Sequence, residues 1–116
     1  MTKFDESEPA AEYRLAFKQP ALVEWNTLDG SVKTLFRTAI KKRLKNPHVP
    51  GSALKGDLKH CYKIKLAKSG YRLVYTVQDD VLILLVLSVG KREANKAYEL
   101  AIRRLAKGGG EPDVYQ

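Results

Sequence analysis

Residues 81–89 read VLILLVLSV and are apolar at every position through Leu87. A strand with one wet face alternates in polarity, so an unbroken run of this kind has to be covered on both sides. It is far too short for a membrane-spanning helix. It therefore predicts a central strand, and the rest of the chain must supply its neighbours and its cover.

The upstream half supplies helices. Tyr13–Phe17 (YRLAF) alternates and predicts a first strand. Pro20 suits the first turn of a short helix in which Leu22, Trp25 and Leu28 share a face. Asp29-Gly30-Ser31 interrupts it, with Ser31 as N-cap of a second helix. There Val32, Leu35, Phe36, Ala39, Ile40 and Leu44 form an apolar stripe. Lys33, Arg37, Lys41, Lys42, Arg43 and Lys45 fall outside that stripe, and Pro47 and Pro50 end the helix.

Residues 60–77, HCYKIKLAKSGYRLVYTV, alternate like a hairpin turning at Lys68-Ser69-Gly70. With Leu66 opposite Tyr71, Ile64 meets Leu73 and Tyr62 meets Tyr75 on one face. The same register puts Lys63 and Lys65 on the other face and sets Lys65 against Arg72. Like charges facing across a ladder are destabilising, so the fold alone would avoid this arrangement. Asp79-Asp80 then turns the chain into the apolar run. Gly90 breaks that run, and Ala94, Ala97, Tyr98, Ala101 and Leu105 give a helical stripe up to Gly108.

The expected architecture is an α+β domain with a mostly antiparallel four-stranded sheet. An N-terminal helical hairpin packs on one face, and a C-terminal helix completes it. Residues 1–11 read as a polar N-terminal extension, 12–107 as the domain and 108–116 as a flexible C-terminal tail.

Charge narrows the function. Of 21 basic and 13 acidic residues, the first eleven hold one Lys and three carboxylates, and the last nine hold two carboxylates. Residues 12–107 thus carry 20 basic against 8 acidic side chains, a net +12. A compact domain of that charge expects a polyanion, nucleic acid before membrane. The one cysteine, Cys61, allows no internal disulfide and reads as a packed thiol in a reducing cytoplasm. With two scattered histidines, His48 and His60, it offers no metal-ligand spacing.

Residues 61–75 (CYKIKLAKSGYRLVY), together with Ser88-Val-Gly-Lys-Arg-Glu93 and Tyr98, closely resemble the RelE-type toxins of the RelE/ParE toxin–antitoxin superfamily. Leu54-Lys55-Gly56 is similar to that family's LRG element, and Glu24-Trp25 to the start of its first helix. The likeness covers roughly Tyr13–Lys107, and its core is K-x-K, six residues, R, nineteen residues, R, five residues, Y. It implies a RelE-like microbial RNase fold and an endoribonuclease that cuts mRNA in the ribosomal A site without metal or cofactor. The implied site is Lys63, Lys65, Arg72, Arg92 and Tyr98, with Lys55 nearby. Lys41, Lys42, Arg43 and Lys68 are further candidates for RNA contact. The implied partners are the ribosome with its 16S rRNA, the mRNA, and an acidic RelB-like antitoxin. Two alternatives stand beside this: a ParE-type toxin that inhibits gyrase, and a basic RNA-binding module without catalysis.

The residue types suit the chemistry. Cleavage through the 2′-oxygen needs a base, stabilisation of the phosphorane and a proton for the 5′-oxygen. No histidine sits among these cations. A lysine can act as base where neighbouring like charges disfavour its protonated form, and Lys65 lies beside Lys63 and opposite Arg72. Lys63 and Arg72 suit a phosphate clamp. Arg92 is left as donor or stabiliser of the leaving oxygen, although arginine hardly ever releases its proton. Tyr98 can stack on a base, orient the 2′-hydroxyl or simply pack in the core.

Overall fold

The computed structural model describes residues 12–91, 96–106 and 111–116. In chain order these form β1 (Arg14–Phe17), α1 (Gln19–Asn26), α2 (Gly30–Lys45), β2 (Cys61–Leu66), β3 (Tyr71–Gln78), β4 (Ile83–Lys91), α3 (Lys96–Ala106) and β5 (Val114–Tyr115). Two short 3-10 turns, Pro50–Ser52 and Gly56–Leu58, lie between α2 and β2. The sheet order is β2-β3-β4-β1-β5. Only β1 and β4 pair in parallel; the other neighbours are antiparallel.

The apolar run is central, and β4 is buried from Ile83 through Val89. Its alternate side chains feed two cores. Leu84 and Val86 join Phe17, Trp25, Phe36, Ile40, Leu73 and Tyr75 under the α1–α2 hairpin. Ile83, Leu85 and Leu87 join Ala16, Leu58, Cys61, Val74, Ala97 and Ala101 under α3. The helical hairpin and α3 therefore cover opposite faces.

A β-bulge changes the parity of β4. Val74 pairs with Ser88 but Tyr75 pairs with Val86, so Leu87 is an extra residue. Leu87 packs in the α3 core, and the next residue, Ser88, also turns to α3, its Oγ donating to the Ala97 carbonyl at 2.6 Å. Val89 then returns to the α1–α2 core. Without the extra residue Ser88 would lie under the hairpin, with no helix backbone to bond.

Four expectations need correction. The apolar run enters its strand two residues late: Val81 and Leu82 are 56% and 39% exposed, and Leu82 has φ 55° in the turn. Gly90 does not end β4, which continues to Lys91. The second helix begins at Gly30 with Asp29 in the N-cap position and no side-chain cap bond, so Ser31 caps nothing. The sheet has a fifth strand. Instead of hanging free, residues 111–116 run along β1, the Asp113 and Gln116 amides donating to the Phe17 and Leu15 carbonyls at 3.1 and 3.0 Å.

Candidate active site

The expected register holds at every pair: Leu66 faces Tyr71, Ile64 faces Leu73, Tyr62 faces Tyr75, and Lys65 faces Arg72. Cys61 fixes which face is which. It is buried in the α3 core, so Lys63 and Lys65, two and four residues on, point to the α3 side as well. Burial pushes the Cys61 thiol up in pKa, against a smaller opposing effect from its Thr76 hydrogen bond. That suits a packing residue, not a reactive one.

Arg72 lies between the lysines and the helix. Its strand partners are Lys65 on one side and Gly90 on the other. Gly90 faces α3 so closely that a Cβ there would stand 3.8 Å from the Ala97 nitrogen. Tyr98, half-buried on α3, completes the contact: the Arg72 guanidinium carbon is 5.3 Å from its ring centroid. Tyr98 thus packs against the α3 core and also caps the cation.

Arg72 has a donor left over. Its Nε is buried with no hydrogen-bond partner among the described residues. A buried donor of this kind is costly unless something accepts from it. An anion held between the strands and α3 would do so.

The remaining predicted residues divide. Lys63 is half-buried, while Lys65 and Lys68 are exposed, Lys68 at the hairpin turn. Lys55 is exposed just before the Gly56–Leu58 turn, whose Leu58 packs in the α3 core. Arg92 lies outside the described residues. Lys41 and Lys42 are exposed on α2, across the sheet from Lys63, Lys65 and Arg72. Arg43, grouped with them in sequence, turns inward instead. It donates to the Lys63 carbonyl at 3.2 Å, the Tyr75 hydroxyl at 2.8 Å and Ser52 Oγ at 3.1 Å. Among the described residues the outer edge of β2 has no full strand beside it, and Arg43 supplies a donor there.

The sequence did not disclose that Glu24 pairs with Arg104, the two forming a two-pronged ion pair between α1 and α3. Position was the available signal. Arg43 follows Ile40 by three residues, Arg104 follows Ala101 by three, and Glu24 follows Ala21 by three. Each charge therefore flanks a buried stripe. A further polar cluster pins the β3–β4 turn: Asp79 Oδ1 accepts from the Tyr13 hydroxyl at 2.6 Å and lies 2.7 Å from His48 Nε2. These two bonds, His48 first, hold the Asp79 carboxyl below its usual range.

No helix among the described residues is long and apolar enough to cross a membrane. No group of three or more His, Cys, Asp or Glu side chains that could hold a metal ion occurs among them.

A sheet covered by a helical hairpin on one face and, on the other, by a helix over a strand-borne cation cluster matches a known toxin class. The profile of the ParE-like toxins of type II bacterial toxin–antitoxin systems matches residues 18–99, and the chain belongs to that family. Within it the likeness is to RelE. A RelE-like toxin protein of Escherichia coli is 47% identical over 93 residues, which cover 80% of this chain and 97% of that protein. The mRNA interferase toxin RelE of Escherichia coli is 41% identical over the same extent. The structure of an arginine-substituted mutant of E. coli RelE in the free state superposes with a TM-score of 0.74 at 40% identity, covering 81% of this chain and 98% of that one.

Proposed function

We propose that this protein is an mRNA interferase, an endoribonuclease that cuts mRNA on the ribosome and is restrained by an antitoxin. The observation that carries this is Arg72, stacked under Tyr98, opposite Lys65, with a buried Nε that lacks an acceptor among the described residues. The likeness to proteins named mRNA interferase RelE, over 80% of this chain and 97% of theirs, supports it. So does the likeness to E. coli RelE in complex with its antitoxin, at a TM-score of 0.66 and 42% identity.

In the reaction, the 2′-oxygen forms a bond to the adjacent phosphorus while the bond from phosphorus to the 5′-oxygen breaks. Lys65 takes the 2′-hydroxyl proton, and the 5′-oxygen takes a proton from solvent water as it leaves. Lys63 and Arg72 face the oxygens on which charge accumulates and are worth most at the phosphorane. Tyr98, with its ring over Arg72, stacks on a substrate base or orients the 2′-hydroxyl. Arg92 stabilises the departing oxygen.

Single-turnover cleavage of mRNA on programmed ribosomes tests this. Lys65→Ala should lower the rate by at least about 100-fold while ribosome affinity stays nearly intact, because a base acts only in the chemical step. Equal losses of binding and cleavage would make Lys65 a docking cation. A wild-type protein that leaves mRNA whole but blocks gyrase supercoiling would replace the proposal with the ParE alternative.

A further inference from the structure

The parallel pairing of β1 with β4 ends at Phe17 and Val86, where the Lys18 amide still donates to the Val86 carbonyl at 3.0 Å. Beyond that point β4 runs on to Lys91, and among the described residues no strand covers its β1-side edge. Its backbone groups there still need partners. Two side chains provide them. Glu24 Oε1, from α1, accepts the Val89 amide at 3.0 Å. Arg104 Nη1, from α3, donates to the Leu87 carbonyl at 2.7 Å. The two also bind each other through both prongs, at 2.9 and 2.8 Å.

The pair thus joins the two helices that lie on opposite faces of the sheet, around its edge. The fully buried residues of α3 are Ala97 and Ala101, small side chains that shed little surface from water, and Tyr98 and Leu105 add partly buried contacts to the same core. Polar ties then set its rotation and register: Ser88 to the Ala97 carbonyl in the first turn, and Arg104 in the last. Tyr98 lies between these ties, six residues and roughly 9 Å along the axis from Arg104.

We infer that Glu24 and Arg104 are positioning residues for the cleavage site, setting the rotation and register of α3 so that Tyr98 stays over Arg72. This rests on the mRNA interferase function proposed above. Displacing a catalytic constellation by about 1 Å can cost on the order of 100-fold in rate. Glu24→Ala should therefore lower single-turnover cleavage by about that factor at saturating ribosomes, with ribosome affinity changed less than about threefold. Glu24→Gln keeps an acceptor for Val89 and should recover part of the rate. The exchange Glu24→Arg with Arg104→Glu should not rescue, although it restores a pair of opposite charges. It sets a donor against the Val89 amide and an acceptor against the Leu87 carbonyl. A plain surface ion pair would be rescued by the exchange.

Hydrogen exchange separates this inference from the function beneath it. The amides of α3 should lose protection in Glu24→Ala whether or not the wild-type protein cuts RNA. If Glu24→Ala does not fold, Arg104→Lys keeps the charge but not the fork, and is read the same way. Wild-type protection of α3 in a folded variant, or wild-type cleavage with the pair broken, would overturn the assignment. A wild-type protein that cuts no RNA while its α3 protection depends on Glu24 would sink the interferase function and leave Glu24 and Arg104 as the residues that position α3.

Discussion

Three side chains, Arg43, Glu24 and Arg104, act on the backbone of the sheet as missing strands would. Each fills a backbone valence at an edge, and each follows a buried helix residue by three positions. Arg43 also steadies the strand that carries the proposed base, because its acceptor is the carbonyl of Lys63. The Tyr75 hydroxyl does not depend on it alone, since it also donates to the Pro47 carbonyl at 2.7 Å. Arg43→Ala should accordingly cost about 2 kcal/mol, the loss of charged hydrogen bonds at a partly buried site. Urea unfolding should show a lower midpoint with an unchanged slope, and an unaltered midpoint would reduce Arg43 to a solvated cation. Residue type alone could not have separated Arg43 from Lys42. Only the direction of its position on the helix does, and that depends on where β2 comes to lie.

Among the elements, the hairpin was legible in full because Tyr62, Ile64 and Leu66 against Tyr71, Leu73 and Tyr75, closed by the turn at 68–70, admit a single register. The second helix was legible for a similar reason, its stripe being long and its end marked by prolines, although Leu35 of that stripe is exposed. What stayed hidden depended on neighbours distant in sequence. Val81 and Leu82 look like strand but are spent in the turn, and the bulge at Leu87 appears only once α3 asks for Ser88. The tail held no periodicity to read. Its order comes from a set of contacts to residues 14–19: Asp113 accepts from the Gln19 amide at 2.9 Å and pairs with Lys18 at 3.3 Å. Lys18 also donates to the Glu111 carbonyl, and Arg14 lies over the Tyr115 ring. The Gln19 amide foremost, then Lys18, holds the Asp113 carboxyl below its ordinary value of 3.8. A lowered carboxylate stabilises the folded form above that ordinary value, and its contribution is lost as the pH falls through the lower folded value. The strap should therefore stay docked at neutral pH and loosen only in acid below about 4. Amide exchange of Asp113 and Gln116 will show this. Asp113→Asn should loosen the strap already at pH 7 and flatten its acid response, and a retained response would place the titrating group elsewhere.

At the scale of the whole molecule, the sheet separates two basic surfaces. Lys63, Lys65 and Arg72 belong to the α3 side, Lys41 and Lys42 to the outer face of α2. The two surfaces lie on opposite faces of the sheet, so the RNA contact proposed for Lys41 and Lys42 would be separate from the proposed cleavage site. Residues 1–11 are acidic, proline-containing and opposite in charge to the domain. Their removal should leave ribosome-dependent cutting unchanged, and loss of cutting in a folded truncation would give them a role. The two surfaces should separate in kinetics. Each lysine that neutralises a phosphate adds roughly one counterion released, and so steepens the fall of affinity with salt. Replacing Lys41 and Lys42 together by Gln should make the plot of log affinity against log salt shallower by about two. The rate at saturating ribosomes should remain that of the wild type, because neither side chain reaches the reacting phosphate. Lys65→Ala is expected to do the reverse, leaving the salt slope almost alone while the saturated rate collapses. A lowered saturated rate in the double Gln variant would show that docking on α2 is needed to align the site. An unchanged salt slope would return Lys41 and Lys42 to the solvent.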